Sequence, residues 1–310
     1  MTTVAPTAAD GSFQRPPSQF RSFIEEGGQF PPERDRYHLY VSYSCPWATR
    51  CLIVRKLKGL EDIVPFTPVV PRLGKQSWPF FRAGDPEADF PGAEPDPLYD
   101  AAHVRDLYYK AQPDYSGRFS VPVLWDKKRH TIVNNESAEI IRIFNSAFDE
   151  LLPPEYAAVD LFPEGLRARI EGLNEWIYPQ INNGVYRAGF ATTQEAYAKA
   201  VIALFDGFDK VEKILSENEY LAGDALTEAD VRLWVSAIRM DPAYVGHFKC
   251  NIRTIRDGYP AINKWMKKLY WTNDAFKSST RFDHIKAGYY SQNNPSGIVP
   301  VGPVPDIEPL

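Results

Sequence analysis

The residue with the clearest potential for chemistry is Cys45, which is followed at once by Pro46 and Trp47. An apolar, aromatic run over Tyr37–Tyr43 precedes it and a helix-like stretch over Ala48–Leu60 follows it. We therefore expect a strand to deliver the thiol to the first turn of a helix, where proline is well suited to the first position. The free N–H groups and the positive end of the helix dipole there favour thiolate over thiol. This predicts a nucleophilic Cys45 whose pKa is lowered from about 8.5 into the range of roughly 3.5–7.5.

The other two cysteines, Cys51 and Cys250, are expected to be small buried hydrophobes. Cys51 lies six residues after Cys45, which points it to a different side of the helix. Ala48 stands where a C-x-x-C motif would need its second cysteine. The pattern favours a one-cysteine cycle that uses an external thiol over a dithiol cycle.

Length and composition bound the class of protein. A chain of 310 residues with 44% hydrophobic and 24% charged residues is typical of a globular protein of two domains. A net charge of −5 and the lack of a long Lys/Arg run predict no nucleic-acid partner. Three cysteines fit a reducing cytoplasm, we expect no signal peptide, and no run approaches the roughly 18 apolar residues of a membrane span. The five histidines are scattered, so no metal site is predicted.

The order of the predicted elements indicates an α/β domain over 36–150, preceded by an extended N-terminal arm over 1–35. Strands are expected at 37–43 and 63–70, helices at 46–59 and 136–148, and a hairpin at 121–126 and 131–134. An insertion over about 71–118, rich in Pro, Gly and aromatic residues, interrupts this order. One helix is expected inside it, at 101–111.

A helical domain over 160–276 is predicted to follow, and then a tail over 277–310 packed on the body. Helices are expected at 162–183, 193–216, 227–238 and 259–271. The third of these begins with Thr227 and has Asp230 three residues later, which is the pattern of a capping box. Pro and Gly in 286–310 predict a non-helical segment.

Taken together, these segments resemble the glutathione transferases, and within them the Xi class, the glutathionyl-hydroquinone reductases allied to the omega class. The motifs that carry the resemblance are Ser44–Ala48 with Arg50, Val121–Asp126, Asn135–Ile140, Asn182–Tyr186, Leu221–Gly223 with Thr227–Asp230, Tyr244–Asn251, His284–Tyr290, Asn294-Pro295 and Val299–Pro303. They span nearly the whole chain. The fold that the resemblance implies is a thioredoxin-like α/β N-terminal domain plus an all-α C-terminal domain.

The resemblance also implies a binding site for glutathione. Pro122 matches the family's cis-proline, which lets the backbone of Val121 pair with the cysteinyl part of the ligand. Glu136 is expected to bind the ammonium of the γ-glutamyl end and Ser137 its carboxylate, at a helix start that favours anions. Two further positions match residues that line this pocket: Trp78 and Arg118.

The expected substrate is a small aromatic thioether or a disulfide. Four tyrosines are candidates for its pocket, because a hydroquinone needs a flat apolar slot with hydroxyl donors: Tyr186, Tyr244, Tyr289 and Tyr290. Tyr186 and Tyr290 are also candidates for the proton donor of the reaction. The class forms dimers through its helical domain, so a homodimer is expected.

The reaction implied is removal of glutathione from a glutathionyl-hydroquinone through a mixed disulfide on Cys45. Two positions depart from the family pattern, since Thr49 and Gly288 stand where histidine is usual, and another low-molecular-weight thiol stays open. One alternative is an omega-like thiol transferase or dehydroascorbate reductase. Another is a non-enzymatic binding module, against which the retention of Cys45, Val121-Pro122 and Glu136-Ser137 argues.

Overall fold

A computed structural model of the chain describes residues 6–292, 294 and 296–307, so that Pro295 of the C-terminal motif lies outside the described residues. The chain divides into two compact units. The sheet unit consists of Ser18–Asp160 and the described part of Ser279–Gly297. The helical unit consists of Leu161–Ser278 with the described residues 6–17 and 298–307. The N-terminal arm and the C-terminal tail are therefore each shared between the two units.

The sheet unit is built on four strands: β1 Tyr37–Val41, β2 Phe66–Pro68, β3 Val123–Asp126 and β4 Thr131–Asn134. Their order is β2-β1-β3-β4, with β1 parallel to β2 and the other pairs antiparallel. Every residue of β1 is buried, as expected for a central strand covered on both faces. The predicted hairpin is confirmed, whereas β2 is much shorter than the predicted 63–70 because Pro65 and Pro68 lack the N–H that a ladder needs.

Helices lie between and after these strands in the sheet unit, and the first four along the chain are α1 Pro46–Leu57, α2 Val104–Ala111, α3 Ser137–Ser146 and α4 Pro154–Ala157. α1 and α3 pack against each other, which brings their N-terminal ends to one region of the unit. The mixed sheet with its helices confirms the predicted α/β fold. These N-terminal ends carry three of the predicted site residues, which are Cys45, Glu136 and Ser137.

The helical unit contains eight helices within its described residues: α5 Arg167–Ile177, α6 Gly184–Gly189, α7 Gln194–Glu217, α8 Glu228–Arg239, α9 Val245–His247, α10 Ile255–Gly258, α11 Pro260–Thr272 and α12 Asp274–Ser278. The predicted helix over 162–183 is confirmed as a continuous helical segment over 164–182, but only its middle part is α-helical. A 3-10 turn at Glu164–Leu166 precedes α5, and a π-helical turn at Tyr178–Asn182 follows it. Pro179 lies in that π turn and has no N–H to continue an α-helical ladder.

The start of α8 is the predicted capping box. The Asp230 carboxylate accepts hydrogen bonds from the N–H of Thr227 at 3.1 Å and from the N–H of Leu221 at 3.0 Å. The indole N–H of Trp265 donates to it at 3.2 Å. Asp230 is fully buried, so this carboxylate closes the helix end inside the core of the helical unit.

The prediction of a non-helical segment over 286–310 is wrong up to Tyr290, because the sheet unit contains a further helix, α13 Phe282–Tyr290. The ring of His284 in α13 is buried and lies edge-on to Tyr43 and Phe90. Gly288 comes so close to the turn before α1 that a Cβ there would lie 2.5 Å from the Ser44 Cβ. The glycine that argued against a helix from sequence is thus the residue that permits this packing, and packing rather than local propensity stabilises most helices.

Candidate functional site

Cys45 is the N-cap residue of α1, and Pro46 occupies the first helical position as predicted. The first turn of α1 carries no acidic residue, so the positive end of the helix dipole is not offset there by a carboxylate of its own helix. The Cys45 side chain is half-buried, whereas Cys51 and Cys250 are buried. Burial raises the pKa of both of these thiols, so they stay protonated and unreactive near neutral pH.

The turn that presents Cys45 is held by hydroxyl groups. The Cys45 N–H donates to the Ser42 carbonyl at 3.0 Å, and the hydroxyl oxygens of Ser42 and Ser44 lie 2.9 Å apart. Ser44 donates in turn to the Pro71 carbonyl at 3.3 Å. Thr49 is fully buried, and its hydroxyl donates to the Cys45 carbonyl at 3.1 Å. Position 49 therefore supports the backbone of the turn rather than offering an acid or base.

The thiol meets the Val121-Pro122 segment. The Val121-Pro122 peptide bond is cis, as the resemblance predicts. The Cys45 Sγ lies 3.4 Å from the Val121 carbonyl oxygen, to which the thiol donates. The structure thus brings together the candidate nucleophile and the backbone assigned to the cysteinyl part of glutathione, although 76 residues separate them in sequence.

The second group of predicted residues lies at the start of α3. Glu136 is its N-cap residue, and one carboxylate oxygen accepts the Ala138 N–H at 3.1 Å. The other oxygen accepts the hydroxyl of Ser18 at 3.0 Å. Ser137 is the first helical residue and is buried. An acidic side chain and a hydroxyl therefore stand side by side at a helix N-terminus, where an ammonium and a carboxylate could both be bound.

Two contacts at this helix start have no counterpart among the predicted site residues. The first is the hydrogen bond from Ser18 of the N-terminal arm to Glu136, and no sequence signal points to it. The second involves Arg50, whose side chain is 1% exposed and whose Nη1 lies 3.5 Å from the Ser137 Oγ. Arg50 belongs to the Cys-Pro motif, and its burial in the helix that starts at Cys45 is the signal that could have indicated a role.

Trp78 and Arg118 lie on the insertion of the sheet unit. Trp78 is half-buried, and its carbonyl accepts the Val104 N–H at 2.9 Å. The Arg118 side chain is exposed, and its carbonyl accepts the Tyr115 hydroxyl at 3.0 Å. These backbone contacts order the insertion, and the predicted roles of both side chains in glutathione binding stay predictions.

The four candidate tyrosines divide between the two units. Tyr289 and Tyr290 are nearly buried at the end of α13 in the sheet unit. In the helical unit the rings of Tyr186 and Tyr244 lie 6.2 Å apart between centroids, and Tyr244 is fully buried. The guanidinium of Arg15 lies 4.7 Å from the Tyr186 ring centroid. Their assignment to a substrate pocket or to proton transfer stays a prediction.

Among residues 6–292, 294 and 296–307, no three His, Cys, Asp or Glu side chains converge in a way that could hold a metal ion. Nor does any helix in these ranges have the length and apolar character to cross a membrane.

Two family models match the chain. The one described as glutathione S-transferase, N-terminal domain, matches residues 44–147, which contain Cys45, Val121-Pro122 and Glu136-Ser137. The one described as glutathione S-transferase, C-terminal domain, matches residues 194–268. Both halves of the expected fold are therefore present.

Individual relatives cover nearly the full chain. Glutathione S-transferase omega-like 2 of Schizosaccharomyces pombe is 53% identical over 97% of this chain and 96% of its own. Glutathionyl-hydroquinone reductase YqjG of Escherichia coli is 46% identical over 96% of this chain and 91% of its own.

Solved structures agree with these relatives. The glutathione-bound structure of YqjG has a TM-score of 0.88 and 46% identity, covering 94% of this chain and 95% of that one. The glutathione S-transferase Xi from Phanerochaete chrysosporium has a TM-score of 0.95 and 59% identity, covering 98% of this chain and 97% of that one.

Proposed function

Because this chain belongs to the Xi class of the glutathione transferase family, and is an enzyme like its relatives, we propose that it is a glutathionyl-hydroquinone reductase. It would remove glutathione from an aromatic ring through a mixed disulfide on Cys45. The observation that carries this proposal is the 3.4 Å approach of the Cys45 Sγ to the Val121 carbonyl beside a cis-proline. A ligand cysteine paired with this backbone would have its sulfur next to the nucleophile.

In the first step the Cys45 thiolate attacks the sulfur of the glutathionyl-hydroquinone. The bond between sulfur and the ring carbon breaks, its electron pair goes to the carbon, and an acid protonates that carbon. Tyr290 of the sheet unit and Tyr186 of the helical unit are the proposed donors. The hydroquinone leaves, and Cys45 is left in a mixed disulfide with glutathione.

In the second step the thiolate of another glutathione attacks this disulfide at the glutathione sulfur. Glutathione disulfide leaves and the Cys45 thiolate returns. Two glutathione sulfurs are oxidised for each carbon–sulfur bond reduced, so no further reductant is needed. Ping-pong kinetics follow from this order.

Glutathione is the proposed thiol, bound by Val121, Glu136 and Ser137 with Trp78 and Arg118 along the insertion. The ammonium would pair with Glu136 and the γ-glutamyl carboxylate with Ser137 at the start of α3. A relative with a glutathione-bound structure supports this assignment. A homodimer and a cytoplasmic location stay predictions.

An omega-like thiol transferase or dehydroascorbate reductase is the second candidate, because the most similar curated relative named above is called omega-like. Both reactions use Cys45 and a mixed disulfide, so the site residues do not separate them. The difference lies in the substrate, which is a disulfide or dehydroascorbate in one case and an aromatic thioether in the other.

A three-substrate assay of one purified sample tests the proposal. We expect rapid reduction of a glutathionyl-hydroquinone, clear activity on a small disulfide and little conjugation of a chloronitrobenzene. Activity on the disulfide alone would favour the omega-like reaction. Full thiol-transfer activity in a Cys45→Ala variant would contradict both, and mass spectrometry of the wild type should show the glutathione adduct on Cys45.

A further inference from the structure

We propose that Arg50 is a positioning residue that acts through Ser137 and selects thiols with a γ-glutamyl carboxylate. The inference rests on the proposed function, because it concerns how the proposed glutathione site recognises its ligand. It also bears on which thiol is used, since low-molecular-weight thiols without a γ-glutamyl group would lack the group selected.

The contact between Arg50 and Ser137 sets the direction of the serine hydroxyl. Guanidinium has only donors, so at the 3.5 Å contact the Ser137 oxygen is the acceptor. A hydroxyl has one proton and two lone pairs, and using a lone pair for Arg50 leaves the proton available to donate. A carboxylate at the start of α3 is the acceptor that this arrangement fits.

Charge supports the same ligand group. The Arg50 guanidinium stays positive at all ordinary pH values, and it is 1% exposed, so water screens it little. Its charge adds to the positive end of the α3 dipole at Ser137. The Arg50 Cζ atom also lies over the Trp47 ring, 4.7 Å from its centroid, and this cation–π contact restrains the Arg50 side chain.

Next to the positive charge of Arg50 and the α3 dipole, the proposed site has a negatively charged group. The Glu136 carboxylate is oriented by the Ser18 hydroxyl at 3.0 Å and by the Ala138 N–H at 3.1 Å. A negative and a positive pole on adjacent residues match the neighbouring ammonium and carboxylate of a γ-glutamyl group. Arg50 would serve the carboxylate side of this pair only.

Calorimetric titration with three S-methylated peptides tests this selectivity without disulfide exchange. The peptides are S-methylglutathione, its 4-aminobutanoyl analogue without the γ-glutamyl carboxylate, and its glutaryl analogue without the ammonium. In Arg50→Met, we expect affinity for the two peptides that keep the carboxylate to fall about tenfold. Affinity for the aminobutanoyl peptide should change less than about twofold.

A matched control comes from the same helix. Arg55 is also buried, and its guanidinium donates to the carbonyls of Val64 and Glu61 rather than to the site. Arg55→Met should therefore change the three affinities by a common factor. Because each variant is compared across ligands, partial loss of folded protein lowers the number of sites and not the ratio of affinities.

A double variant tests whether Arg50 acts through Ser137. In a Ser137→Ala background, Arg50→Met should lose most of its selective effect, leaving less than about threefold. Equal losses for all three peptides, no loss for any, or a selective loss that persists without Ser137 would overturn the inference, as would a wild type that does not bind S-methylglutathione. Selective binding without reduction of a glutathionyl-hydroquinone would reject the proposed function and leave this inference intact.

Discussion

The N-terminal ends of α1 and α8 are built in opposite ways. At α8, Thr227 and Asp230 form a capping box, and the buried Asp230 also accepts the Trp265 indole N–H. At α1, Cys45 makes no side-chain cap hydrogen bond and the first turn has no acidic residue. One helix end satisfies its N–H groups with its own side chains, which stabilises the fold. The other leaves its positive pole facing the Cys45 sulfur, which is what the proposed nucleophile requires.

Replacing Cys45 with serine should separate these two uses most sharply. Serine is a poor nucleophile here but a preferred N-cap residue, so we expect turnover to fall at least about a thousandfold. The free energy of unfolding should stay the same or rise by about 0.5 kcal/mol. Steady-state reduction of glutathionyl-hydroquinone and denaturant unfolding measure the two effects.

The control is Cys51→Ser in the same helix. Cys51 is fully buried, so the added hydroxyl should cost about 1–2 kcal/mol of stability while turnover per folded molecule is kept. A Cys45→Ser variant that keeps its turnover but loses stability would show that Cys45 has a structural role at the start of α1, as the capping box has at the start of α8.

Opening the cap of α8 should have the reverse outcome. In Asp230→Ala, the N–H groups of Leu221, Thr227 and Trp265 lose a buried acceptor, and we expect unfolding free energy to fall by about 3 kcal/mol. Thr193→Ala removes an exposed N-cap from α7 and should cost only about 1 kcal/mol. A similar cost for both variants in urea unfolding would argue against the importance of the buried carboxylate.

Acidification should change the stability contributions of two buried groups in opposite directions: His38 in the sheet unit and Asp230 in the helical unit. Burial lowers the pKa of His38 in β1 to about 4 and raises the pKa of Asp230 to about 6. Between about pH 4 and 6.5 the unfolded chain binds a proton on His38 more readily than the folded chain does. This group therefore makes the free energy of unfolding fall on acidification. The folded chain binds the Asp230 proton more readily between about pH 4 and 6, so that group makes stability rise on acidification.

Two variants should therefore change the slope of unfolding free energy against pH in opposite directions. His38→Gln keeps a polar partner for Thr67 and should make the slope of unfolding free energy against pH more negative. Asp230→Asn should make it more positive. Each change is expected to reach about 1 kcal/mol per pH unit between about pH 4.5 and 6, and parallel profiles for all three proteins would refute both assignments.

A smaller effect is expected where α13 approaches the turn before α1. In Gly288→Ala the new Cβ would lie 2.5 Å from the Ser44 Cβ and 2.8 Å from the Pro71 carbonyl oxygen. We expect a loss of about 2 kcal/mol and an altered rate of Cys45 alkylation by iodoacetamide. Gly172→Ala in α5 meets open space and should gain about 0.5–1 kcal/mol. An unchanged alkylation rate in Gly288→Ala would mean that α13 does not hold the turn.

Local patterns predicted the parts of the molecule that depend on neighbouring residues. Proline after Cys45 indicated a helix start, and Thr227 with Asp230 indicated a capping box; both are confirmed. The same reasoning missed the π-helical turn that contains Pro179, and it failed at α13, where the Pro and Gly content of 286–310 predicted a non-helical segment. At α13 the absence of a side chain on Gly288 allows the helix to pack against Ser44. No local sequence pattern contains this contact.

What the sequence by itself determined is therefore the family, from motifs spread along the whole chain, and the order of most strands and helices, from residues that are adjacent or periodic. It also singled out Cys45 as the proposed nucleophile. Only the tertiary structure decided which side chains support the site. Arg50 reaches Ser137 across 87 residues, and Ser18 reaches Glu136 across 118. Such contacts form because α1, α3 and the N-terminal arm pack within one unit, and packing depends on the shape of the whole core rather than on any short segment.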